Sequence, residues 1–180
     1  MSETDLQATL SPVVQDPLAP DKNCGSCTLC CKLFPVPELG KPSGKWCRHI
    51  VQGRGCGIHG TRPPVCRAFN CQWLYNPDIG PEWKPETCKF VLSIYPDSNS
   101  LVVTGDPGFP RNWAREPFFS ELKRWAVAAL EQGDCIIAFQ GNVASAILPD
   151  GEKPLGKILP GDRIVSLKSA AGYNVVVRRG

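Results

Sequence analysis

Eight of the ten cysteines in this chain lie between Cys24 and Cys71, and four of them open the stretch as Cys24-Gly25-Ser26-Cys27-Thr28-Leu29-Cys30-Cys31. Four thiols in eight residues cannot all be buried as apolar core by so short a segment. As metal ligands they make chemical sense. Thiolates bind zinc and iron tightly, and a two-residue gap lets both sulfurs reach one ion. Cys47, Cys56, Cys66 and Cys71 supply the second half of the set.

The segment from Asn23 to about Lys89 carries Pro35, Pro37, Pro42, Pro63, Pro64, Pro77, Pro81 and Pro85. Long helices or strands are not expected here, apart from one helical turn after Cys27. A loop-rich stretch of this length does not normally offset its ordering entropy by hydrophobic burial, and metal coordination would supply the difference. Trp46, Trp73 and Trp83 are read as covering the cluster, with ordinary core packing as the alternative.

The formal net charge of +3 counts every cysteine as neutral. Eight thiolates on two divalent ions, or on two oxidised cubane clusters, lower it by four, to −1. From Lys41 to Cys71 there are six basic residues (Lys41, Lys45, Arg48, Arg54, Arg62, Arg67) and no Asp or Glu. Charge compensation of the thiolates explains this better than a phosphate-binding patch, since neither a basic helix nor an aromatic stacking motif accompanies the cations. Nucleic acid is therefore not the expected partner.

The remaining sequence divides simply. Residues 1–22 carry three prolines and a net charge of −3, and read as a loosely attached tail. Residues 23–89 form the cysteine module. Residues 90–180 read as a small α+β unit, one main helix on a mostly antiparallel sheet. A hairpin is expected from Phe90–Tyr95 and Leu101–Thr104 across Pro96–Ser100, a helix over Pro117–Gln132 with Leu122, Trp125, Ala126, Ala129 and Leu130 on one face and Gly133 at its end, and strands at Cys135–Phe139, Val143–Leu148, Arg163–Leu167 and Asn174–Val177. No apolar run is long enough to span a bilayer, and no basic segment followed by an apolar core marks a signal peptide. A cytoplasmic, reducing setting is the expectation, which disfavours a disulfide framework.

The Cys24-x2-Cys27-x2-Cys30-Cys31 run, followed by Cys56-Gly57-Ile58, Arg62-Pro63 and Cys66-Arg67-Ala68-Phe69-Asn70-Cys71, resembles the YkgJ-type cysteine-cluster family, a zinc- or iron-chelating domain with a CxxCxxCC run. About a third of the chain carries the resemblance. It implies metal chelation by Cys24, Cys27, Cys30, Cys31, Cys47, Cys56, Cys66 and Cys71, with zinc or an iron–sulfur cluster as the cofactor. A flagellin lysine methylase has a similar motif, but no S-adenosylmethionine signature accompanies it here. The family pattern has Tyr at the position of His59. With eight thiolates filling two four-ligand sites, His59 reads as an outer donor or surface group, and His49 likewise.

Neighbouring side chains diverge, so Cys30 and Cys31 are expected to serve two centres or to bridge two metals. Cys24 and Cys27 are the natural pair for one site, and spacing leaves open which later cysteine joins which. Ferredoxin spacing is absent. Filled thiolate zinc sites are structural, whereas iron–sulfur clusters suit electron transfer. Cys88 is a substitute ligand by position, and Cys135 a small buried residue. With two histidines, both in the cysteine region, acyl-transfer chemistry is not expected. Three functions follow as expectations. The first is a metal-binding protein whose C-terminal half docks a protein partner or substrate. The others are an iron–sulfur redox or protein-modifying enzyme component, and a zinc-dependent nucleic-acid module.

Overall fold

The computed structural model describes residues 18–69, 71–95, 98–170 and 172–180. Residues 1–17 of the expected tail, and Pro96 and Asp97 of the expected hairpin turn, lie outside the described residues. The last five tail residues are docked. Ala19 is buried and its N–H donates to Leu74 O at 2.8 Å, while Lys22 Nζ donates to the carbonyls of Asn76 and Ile79, both at 2.6 Å.

The cysteine region folds as short elements separated by prolines. The helix α1 spans Leu29–Leu33 and buries Leu29 and Leu33, one turn apart, against the core. It ends at extended Phe34, where the following Pro35 disfavours helical backbone. Strands β1 (Ile50–Val51) and β2 (Gly55–Cys56) make a small antiparallel hairpin, and α2 (Pro64–Ala68), α3 (Gln72–Tyr75) and α4 (Pro85–Cys88) follow. Prolines start α2 and α4, as their missing N–H allows. The region is thus richer in single-turn helices than the one turn expected. Pro37, Pro64, Pro81 and Pro85 each open a single helical turn.

The second half is α+β as expected. Strands β3 (Phe90–Ile94), β4 (Leu101–Gly105), β5 (Ile136–Gln140), β6 (Val143–Leu148) and β7 (Gly151–Lys157) form one sheet in that order. Every pairing is antiparallel except β4 with β5, which run parallel because the helix α5 (Phe118–Glu131) connects them. Strands β8 (Arg163–Ser169) and β9 (Gly172–Arg178) form a separate two-stranded ribbon. β7 was not expected from the sequence, and it contains Pro154. It is tolerated because β7 is an edge.

Phe118, Leu122, Ala126 and Leu130 are the buried residues of α5, with Trp125 and Ala129 only partly covered. Gly133 follows the helix at φ +86°, a left-handed conformation that suits glycine.

One apolar core contains Leu29, Leu33, Trp73, Ile79 and Trp83 from the cysteine region together with Phe90, Leu92, Trp113, Phe118 and Leu122. Trp83 is its joint. Its ring lies 5.7 Å from Phe90, 4.9 Å from Phe118 and 4.8 Å from Trp125. The ion pair of Lys32 with Asp106, at 2.5 Å, adds a second tie between α1 and the end of β4. Trp83 packs as core, and Trp46, expected over the cluster, is instead 56% exposed with Lys32 above its ring. Trp83→Ala should cost about 3–5 kcal/mol in denaturant unfolding, against about 0.5 kcal/mol or less for Trp46→Ala.

Candidate metal centre

All eight clustered cysteines line one of two cavities. The larger, of about 260 Å³, is walled by Cys24, Cys27, Cys30, Cys31, Cys47, Cys56 and Cys66. The smaller, of about 30 Å³, is walled by Cys24, Cys27, Cys30 and Cys71 with Trp73, Leu74, Pro85 and Val91. Three cysteines therefore stand in the wall between the two spaces. Neither Cys88 nor Cys135 lines either cavity.

Local turns and a few longer contacts assemble this set. A turn closed by Cys27 N–H to Cys24 O at 2.8 Å shapes the first pair, and α1 carries Cys30 and Cys31. Cys47 is tied to α1 by its N–H to Cys31 O at 3.1 Å. Cys56 sits in β2 opposite Ile50, Cys66 in α2, and Cys71 directly precedes α3. Ser26 Oγ donates to Glu86 at 2.9 Å, fastening the first loop to α4.

One long-range contact brings the first loop against β2. Gly55 has φ +94°, and a Cβ there would lie 2.3 Å from the Gly25 carbonyl oxygen. Only glycine permits that approach, which sets the Cys24–Cys27 turn beside Cys56. Gly53 shares the left-handed conformation, at φ +73°, but has open space around it. Gly55→Ala should therefore destabilise by about 1–3 kcal/mol through strain, with a further cost from the clash that Gly53→Ala does not carry. Denaturant unfolding measures the difference, and faster alkylation of Cys24 and Cys56 should accompany it.

Cys30 and Cys31 do not diverge as expected. Their sulfurs are 4.0 Å apart, within reach because each side chain can rotate about its own staggered torsions. The contact between the two thiols raises the pKa of Cys30 and lowers that of Cys31, which comes down to about 7 with Lys41 and Arg62 assisting and burial opposing. Burial pushes Cys24, Cys27 and Cys66 up, and Cys71 up to about 11. The backbone N–H groups of Leu29 and Glu86 face the Cys27 sulfur, and those of Trp73 and Leu74 face Cys71, which opposes that rise.

Two of the six cations reach the thiols. Lys41 is buried, donates to the carbonyls of Lys32, Phe34 and Pro42, and feels Cys47, Cys31, Cys30 and Cys66. Arg62 lines the larger cavity and acts on Cys24, Cys31 and Cys66. Lys45, Arg48 and Arg54 are exposed. Lys84 also acts on Cys24. Sequence reasoning missed it, since nothing in a lysine sixty positions away signals that neighbour.

His59 is an exposed part of the larger cavity's wall, its pKa lowered by burial and then by Arg62. His49 lines neither cavity. Cys88 is committed elsewhere. Its thiol donates to the carbonyls of Trp83 (3.3 Å) and Phe90 (3.2 Å), and burial pushes its pKa up to about 12. Cys135 is buried at the start of β5 beside Ser100, in the role expected of it.

Among the described residues no three His, Cys, Asp or Glu side chains converge tightly enough to grip one ion. The thiols surround spaces rather than points. As a donor set, eight free cysteines with apolar walls fit zinc or an iron–sulfur cluster, both of which take all-thiolate ligation. No helix among the described residues is long and apolar enough to cross a membrane. Comparison with protein-family models, with curated proteins and with solved structures found no match in any of the three.

Proposed function

We propose that this chain is a metal-binding protein that holds an iron–sulfur cluster or zinc through Cys24, Cys27, Cys30, Cys31, Cys47, Cys56, Cys66 and Cys71. One observation carries the reading. The eight cysteines of the clustered segment all line two abutting cavities, and the two cysteines outside that segment do not. Chance burial of small apolar residues gives no reason for such a division. The resemblance to the YkgJ-type family supports the same reading.

The volume of the larger cavity favours a polynuclear cluster there. Four sulfurs at about 2.3 Å from a zinc ion enclose a sphere of only about 50 Å³. A space of about 260 Å³ suits a centre of several atoms. Phe34, Val36, Leu39, Ile58 and Phe69 are among its walls, and such an apolar shell limits solvent access and tunes the potential of an iron–sulfur centre. Bound there, the cluster would supply one-electron transfer. Lys41 and Arg62 would balance its charge. The 90–180 unit backs the smaller cavity through Val91 and leaves its outer surface for a protein partner or substrate.

Purification without oxygen, followed by metal and acid-labile sulfide analysis and visible spectroscopy, tests the reading. Iron, sulfide and a brown colour that bleaches on reduction are expected. A colourless protein with stoichiometric zinc would replace iron–sulfur with structural zinc. Well under one metal per chain would overturn metal binding itself. Only weak association with DNA or RNA is expected, even at low ionic strength, because the inner cations already face thiols.

A further inference from the structure

We propose that the eight cysteines divide into two separate four-thiolate centres, Cys24, Cys27, Cys30 and Cys71 around the smaller cavity and Cys31, Cys47, Cys56 and Cys66 in the larger. This rests on the metal-binding reading and deepens it by assigning each ligand.

The cavity walls make the assignment. Cys31, Cys47, Cys56 and Cys66 border only the larger space, and already number four. Cys71 borders only the smaller, and a four-ligand site there needs the three cysteines of the shared wall. No other cysteine lines it.

The thiols acting on Cys66 are Cys31, Cys47 and Cys56, all of the larger set, and those acting on Cys71 are Cys27 and Cys24, both of the smaller. The two sets meet at the shared wall, where Cys24 feels Cys31 and Cys56, and Cys30 feels Cys31 most strongly. Backbone N–H groups are aimed at the sulfurs of Cys27 and Cys71, both in the smaller set. Amides in that position favour the thiolate that a metal needs.

The 4.0 Å contact of Cys30 with Cys31 then becomes the seam. Adjacent residues serve different centres, which holds the two centres side by side. Their sizes differ accordingly. The smaller space, about 30 Å³, suits a single ion, and the larger a cluster.

The unmodified protein tests this without risk of misfolding. Anaerobic protein is treated with a chelator of graded strength, newly released thiols are alkylated, and each cysteine is scored by mass spectrometry. Two blocks should appear, one of Cys24, Cys27, Cys30 and Cys71 and one of Cys31, Cys47, Cys56 and Cys66. Release of all eight together, or of mixed sets such as Cys24 with Cys47, would overturn the division. Cys71→Ser and Cys56→Ser give the second reading. Cys71→Ser should lose one metal per chain and keep the visible absorption, and Cys56→Ser should do the reverse. Equal loss of the same metal from both would refute the division while metal binding stands. A wild-type chain without metal would instead refute the metal-binding reading beneath it.

Discussion

A segment with prolines at 35, 37, 42, 63, 64, 77, 81 and 85 cannot build a long helix or a wide sheet, so it lacks the regular hydrogen bonding that usually accompanies burial. In the proposed reading its order depends on how the thiols of Cys24 to Cys71 are held. Single-turn helices and one small hairpin bring eight sulfurs to the walls of two cavities, and most of those thiols are partly buried. Sulfurs facing empty space contribute little packing. In the proposed reading, coordination turns that space into the strongest cross-link of the region, joining α1, β2, α2 and the start of α3. Everything nearby serves the same arrangement. Gly55 lets the first loop approach β2, Lys41 knots the loop after α1 through three carbonyls, and Trp83 seats the region on the sheet.

The division of labour between the halves follows from their physics. Residues 90–180 have what an independent core needs: an apolar helix face and five strands with buried positions. The cysteine region borrows that core through Leu29, Leu33, Trp73 and Trp83. Its apolar side is thus fixed by burial, with Cys71 part of the core and the other cavity thiols only partly buried. On the proposed reading, such a chain would gain or lose metal without losing the sheet.

Much of this was legible in the sequence where one residue type or one period carried the information. Leu122, Ala126 and Leu130 announced α5, short β-rich apolar runs announced β3 to β6, and cysteine spacing marked all eight cavity thiols. What stayed hidden depended on tertiary context. β7 was not read from the sequence at all, and its Pro154 is acceptable in a strand only because β7 lies at the sheet's edge. Trp46 looked like a cover for the cluster, yet its ring lies outside, since a tryptophan's side is set by its neighbours and not by its hydrophobicity. The closeness of Cys30 and Cys31 hung on rotamers. Which later cysteine joins Cys24 and Cys27 depended on where α3 docks, and no spacing rule encodes that.

The central claim is that metal, more than apolar burial, orders residues 24–71. Amide hydrogen exchange of the metal-loaded protein and of the same protein after chelation tests it most directly. The amides of Cys31, Cys47 and Gly57, which donate to Thr28 O, Cys31 O and His49 O, should lose protection when the metal is removed. Those of β3 to β6 should keep theirs. Equal protection of residues 24–71 with and without metal would contradict the account.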